Sequence, residues 1–214
     1  MLLTSRYRQR LMPLLLAGIY AAFCVPMAAI VMQYLPPGRE TAFLGIKQDY
    51  IDIPGYLAAF YVHVFTAIFA LPAGLTQFSG ALRRRYPRLH RAQGKAYVVA
   101  ILGLAAPSGF YIGIFANGGP SSQAAFVLLA LLWFWTTLKA YTTARAGDFR
   151  AHEAWMLRSF ALTLSAITLR AWKWSIVAVF HPHPMDVYRI VAWLGWTLNI
   201  AVAEFLIYNK KQAI

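Results

Sequence analysis

The sequence is poor in charge, in acids and in cysteine. Charged residues are 13% of the 214, against about 25% in an ordinary soluble domain, and only 7 residues are Asp or Glu. With 60% hydrophobic and 15% aromatic residues, this deficit excludes a disordered chain and argues against a soluble domain. One cysteine, Cys24, cannot form an internal disulfide, and no zinc-type cysteine spacing exists. There is no Walker A motif, dinucleotide-type glycine pattern, GxSxG or HExxH. The repeated HxxxH clusters of membrane di-iron enzymes are also lacking.

What is present is a series of apolar runs, at about 11–34, 55–79, 96–116, 123–143, 153–180 and 188–208. A span needs about 20 apolar residues. The runs predict an all-α, six-helix transmembrane bundle occupying residues 1–214 as a single domain. Asn117 to Ser122 and His181 to Asp186 are turn clusters between runs. The first run is too long for a signal-peptide core and is expected to be retained as a span. Pro26, Pro72 and Pro107 are expected to kink their helices.

The net charge of +13 reports topology. Arg6, Arg8, Arg10, Arg83, Arg84, Arg85, Arg88, Arg91, Lys95, Arg145, Arg150, Lys210 and Lys211 fall on one side; Arg39, Lys47 and Arg189 fall on the other. By the positive-inside bias, both termini are cytoplasmic. The basic face implies contact with anionic lipid, not nucleic acid. Trp133, Trp135, Trp172, Trp174, Trp193 and Trp196 suit interfacial belts and helix packing, or a wall for a flat cofactor.

Ionisable groups inside spans are costly and are candidates for function. Lys139 lies near a helix end and can snorkel. Arg158 and Glu204 fall at similar depth, so they suit an ion-pair clasp or a proton-relay carboxylate. Arg170, Lys173 and His63 share the outer half, and Asn199 is mid-span. Beyond Glu204 no acid balances these cations, which favours an anionic guest, such as a haem propionate, lipid phosphate or small anion.

His90 and His152 are the sharpest pair. Pro87 suits the first position of one helix and Asp148 the N-cap of another. Each histidine is then the fourth helical residue, at one depth on the cytoplasmic side. Two such imidazoles suit the axial positions of a haem, a metal held with Asp148 or Glu153, or local capping alone.

The set His63, Gln77-Phe78, Leu89-His90-Arg91-x-x-Gly94-Lys95-x-Tyr97, Gly118-Gly119, Thr136-Thr137 resembles one bacterial membrane family. The set continues through Asp148-x-x-x-His152-x-x-Trp155-Met156-x-Arg158-Ser159, Thr168-Leu169-Arg170, Asn199 and Glu204. The family is domain of unknown function 2306, a membrane family of unassigned activity. The resemblance covers about residues 55–208 and implies a bacterial cytoplasmic membrane. More loosely, the run through Gln77 to His90-Arg91-x-x-Gly94 is similar to the cytochrome b-561 and ferric-reductase transmembrane domains. That likeness implies b-type haem on histidines of alternate helices, here His90 and His152, with no partner for His63.

The leading expectation is therefore a b-type haem or quinone-linked redox protein. His90 and His152 would be axial ligands; Arg91, Arg150 and Arg158 would steady propionates or a quinone headgroup. Glu204 would relay protons, with His63 and Arg170 lining an outer cavity. The competing expectation is a carrier of a small anionic or lipidic solute along Arg158, Arg170, Asn199 and Glu204. A third is an accessory subunit with no chemistry.

Overall fold

A computed structural model describes residue 18 and residues 20–212; Arg6, Arg8, Arg10 and the start of the first apolar run lie outside the described residues. Every described element is helical. In chain order they are α1 (Tyr20–Met32), a 3-10 turn (Ala42–Ile46), α2 (Gln48–Ile51) and α3 (Tyr56–Gln77). Then come α4 (Gly80–Arg85), α5 (Pro87–Val99), a π-helical segment (Ala100–Ala105) and α6 (Ala106–Ile114). The chain ends with α7 (Pro120–Arg145), α8 (Phe149–Thr163), α9 (Ser165–Phe180) and α10 (Pro184–Gln212).

Among the described residues four helical stretches are long and apolar enough to cross a membrane alone: Tyr56–Ala73, Pro87–Ile114, Pro120–Arg145 and Pro184–Lys210. Lipid cannot satisfy backbone polar groups, so an apolar run in it must close its bonds as helix. Helix boundaries follow turn chemistry. Pro87 opens α5. Asp148 caps α8, its carboxylate accepting from the Ala151 N–H at 2.9 Å. Both agree with the sequence reading. Gly118 and Gly119 take positive φ (86° and 78°) to turn the chain before Pro120 opens α7.

The expected single helix over 153–180 is corrected. It begins at Phe149 and breaks at Leu164 into α8 and α9, of 15 and 16 residues, each too short to span alone. Asn199 of α10 supports the break. Its Nδ2 donates at 3.0 Å to the Ala161 carbonyl, which an unbroken helix would give to Ser165, and it also reaches Thr168 Oγ1 and the Gly195 carbonyl. Gly195 lets α9 approach closely: a Cβ there would sit 2.9 Å from Leu169 Cβ.

A second irregularity precedes Pro107. Proline has no N–H, and its ring crowds the carbonyl four residues earlier. The π-helical segment widens the helix there and leaves carbonyls open to other donors.

The centre of the bundle holds a hydrogen-bonded cluster of side chains. Tyr97 Oη lies 2.8 Å from both Ser159 Oγ and Thr163 Oγ1, Thr137 Oγ1 lies 2.7 Å from Ser159 Oγ, and Trp133 Nε1 donates to Thr163 Oγ1 at 3.0 Å. These contacts tie α5, α7 and α8 together. Around them pack Ala70, Ile101, Ala140, Met156, Leu162 and Trp196.

Arg83, Arg84, Arg85 and Arg88 mark one end of the bundle. Over the other end, residues 33–55 fold as a cap. Tyr34, Leu44 and Ile51 of the cap bury against Tyr56 and Phe60 of α3. The α1 helix packs between α3 and α9 through Met27, Leu71 and Ile167.

Candidate functional site

Beneath the cap lies a cavity of about 520 Å³. Its walls are mostly apolar and come from α1, α3, α6, α7, α8, α9 and α10, including Ile30, Val64, Ile68, Leu71 and Leu129. Both helix irregularities border it: Ala105 ends the π segment, and Thr163 and Ser165 flank the break at Leu164. Its charged lining is cationic. Lys47, His63, Arg170 and Lys173 contribute, and no carboxylate stands among the lining residues described.

Lys47 is the residue that sequence reasoning missed. In the chain it neighbours Asp49 and counts as one more loop cation. In the fold its side chain is 2% exposed. Its ammonium donates to the Phe115 carbonyl and lies 4.8 Å from the Tyr50 ring centroid and 5.6 Å from that of Phe43. Burial pushes its pKa from 10.5 down to about 8. The nearby acids are placed elsewhere: Asp52 pairs with Arg39 at the surface, and Asp49 is exposed. The one sequence signal was the aromatic company, Phe43 and Tyr50, at cation–π spacing.

Arg170 spends one N–H on the Ala166 carbonyl of its own helix, at 2.7 Å. Among the described residues neither it, Lys47 nor Lys173 forms an ion pair. His63 is positioned by the π segment. Its Nδ1 lies 2.8 Å from the Ala105 carbonyl and must donate to it, which leaves Nε2 without the proton in the neutral ring. Gly109 makes room for the ring, since a Cβ there would sit 2.8 Å from His63 Cε1. Tyr34 Oη accepts from the Phe43 N–H at 3.3 Å.

The remaining candidates lie elsewhere. Arg158 and Glu204 form a bidentate pair, Nε to Oε1 at 2.5 Å and Nη2 to Oε2 at 2.8 Å, with Arg158 stacked 4.6 Å from the Trp155 ring centroid. Neither lines the cavity, and Asn199 braces the α8–α9 break instead. His90 and His152 sit at the arginine-rich end, near enough to interact electrostatically. His152 Nδ1 lies 2.8 Å from the Ala140 carbonyl and donates to it, while His90 Nδ1 is buried without a hydrogen-bond partner. Arg91 and Arg150 are exposed. Asp148, named with His90 and His152 as a metal alternative, serves as a helix cap, and among the described residues no three His, Cys, Asp or Glu gather as a group that could hold a metal. Of the tryptophans, Trp133 and Trp196 are buried, Trp193 donates to Ser121, and Trp135, Trp172 and Trp174 are exposed.

Long apolar helices around a cation-lined, ligand-sized cavity define a helical membrane protein in contact with the bilayer. A family model described as Predicted membrane protein (DUF2306) matches residues 60–207, and the chain belongs to that family. A likeness to the cytochrome b-561 and ferric-reductase domains is not shown by that match. No curated protein and no solved structure matches the chain.

Proposed function

We propose that this is a six-span protein of a bacterial cytoplasmic membrane, with both termini cytoplasmic, that binds and carries an anionic amphiphile in the outer cavity. In this arrangement α8 and α9 together make one broken span. The Lys/Arg asymmetry supports the orientation and contact with anionic lipid at the arginine-rich end.

One observation carries the ligand reading: Lys47 and Arg170 border an apolar-walled cavity with no carboxylate in its lining. Unpaired cations in a low-dielectric site are costly, and a bound anion offsets that cost. The apolar walls would hold a hydrocarbon tail. Discontinuous helices beside a binding site are a recurring feature of membrane carriers.

The test is native mass spectrometry of protein in a non-ionic detergent, offered decyl phosphate, decanoate, decanol and decylammonium. One equivalent of an anionic probe is expected to stay bound, with decanol and decylammonium released. Retention should weaken as pH rises above about 8, where Lys47 loses its proton. Equal retention of the neutral or cationic probe, or no retention of either anion, would discard the reading.

A b-type haem or quinone-linked redox protein is the second reading, favoured by the arginine-rich end. His90, whose Nδ1 is buried without a partner among the described residues, and His152, whose ring the Ala140 carbonyl fixes, would hold the iron of a haem, and Arg91 and Arg150 would meet its carboxylates. Haem bound there would supply one-electron transfer. Arg158 is already engaged by Glu204. Oxidised and dithionite-reduced spectra would decide. A stoichiometric Soret band lost in His90→Ala/His152→Ala supports haem. A colourless, folded protein made with ample haem excludes it.

A further inference from the structure

We infer that the cavity is built for a phosphate monoester carrying one hydrocarbon chain. This rests on the anionic-amphiphile reading and names the head and tail it would take.

Charge is the first argument. Lys47 and Arg170 are two cations with no carboxylate beside them among the described residues, and Lys173 follows less than one turn after Arg170 on α9. A carboxylate or a phosphodiester brings a single negative charge and leaves a cation uncompensated. A phosphate monoester carries about −1.5 to −2 at neutral pH and three acceptor oxygens.

Donor supply is the second. Arg170 has five N–H donors and spends one on Ala166. Lys47 has three and spends one on Phe115. The Tyr34 hydroxyl accepts from the Phe43 N–H and keeps its own proton to give. Side chains that donate therefore outnumber those that accept around this part of the cavity, which calls for a ligand head made of acceptors. The guanidinium fork also matches two phosphate oxygens at once.

Position is the third. Tyr34 and His63 each lie within electrostatic reach of Arg170. Tyr34 is joined to Phe43, whose ring lies 5.6 Å from Lys47 Nζ. Arg170, Tyr34 and Lys47 thus line one cavity, with Tyr34 linked to each of the other two. The cavity's 520 Å³ is within the ~300–1,000 Å³ of small-molecule sites. That is room for a phosphate head and a hydrocarbon chain.

The experiment compares four probes on the intact wild-type protein in non-ionic detergent: decyl phosphate, methyl decyl phosphate, decanoate and inorganic phosphate. Decyl phosphate is expected to bind at least tenfold more tightly than each of the others. Arg170→Lys should shrink its advantage over decanoate, and Tyr34→Phe should weaken decyl phosphate several-fold, with helicity unchanged by circular dichroism. Equal affinity for the three tailed anions overturns the monoester assignment while leaving the anionic-amphiphile reading intact. Inorganic phosphate binding as tightly as decyl phosphate overturns the single-chain assignment and points to a free phosphate source. No binding of any tailed anion removes both readings.

Discussion

Replacing Arg170 by methionine is expected to abolish retention of the anionic amphiphile and to make the ligand-free protein more stable. Arg170 lines the cavity, gives one hydrogen bond to its own helix and meets no carboxylate among the described residues. Its charge is an uncompensated cost in the empty protein. An apolar residue of similar volume removes that cost, so the ligand-free variant is expected to unfold at a higher temperature. Removing the charge that a ligand anion meets costs about 2–5 kcal/mol of affinity, or more than tenfold. Opposite signs in the two measurements are the mark of a binding residue. A purely structural arginine would lose stability on replacement, and the unfolding temperature of the ligand-free variant beside its ligand titration separates the two. A variant that binds as the wild type does would refute the assignment of Arg170.

Glu204→Leu is expected to be the most destabilising single change among the polar residues of the spans. It leaves Arg158 without its bidentate partner on α10, at a depth where water is a poor substitute. Breaking a buried pair from one side costs about 3–5 kcal/mol. The side chain of Glu204 is 48% exposed in the isolated chain, so the expected loss falls below that range. Arg158→Met/Glu204→Leu should recover most of it, because the orphaned charge goes with its partner. A double-mutant cycle on unfolding in mixed detergent measures the coupling, and additive effects would mean that the pair does not clasp α8 to α10. The Lys210–Glu153 pair, 2.6 Å apart, joins the same two helices nearer their end and should contribute less because both side chains are at least half exposed.

Much of the arrangement was legible beforehand. Pro87 and Asp148 announced the starts of α5 and α8, because helix starts are governed by local chemistry. The pairing of Arg158 with Glu204 followed from depth counting at 1.5 Å per residue. The break at Leu164 was not legible. Nothing in Thr163-Leu164-Ser165 is a helix breaker, and the Ala161 carbonyl opened there is served by Asn199, 38 residues later in the chain. The role of Asn199 was hidden for the same reason. Tyr97, Thr137 and Ser159 stood in the family pattern without a task, since a hydroxyl cluster exists only once three helices meet.

The sequence by itself determined that this is a helical membrane protein, roughly where its helices start and stop, and which end bears the arginines. Those properties are set by continuous apolar length, turn residues and charge along the chain, all read within a few residues. Only the tertiary structure decided that Lys47 leaves its loop for a buried aromatic seat. It likewise decided that the π segment offers the Ala105 carbonyl to His63, and that Arg170 lines the same cavity with no acid beside it. Those outcomes depend on which surfaces remain once the helices and the cap have packed, and no local spacing carries that information.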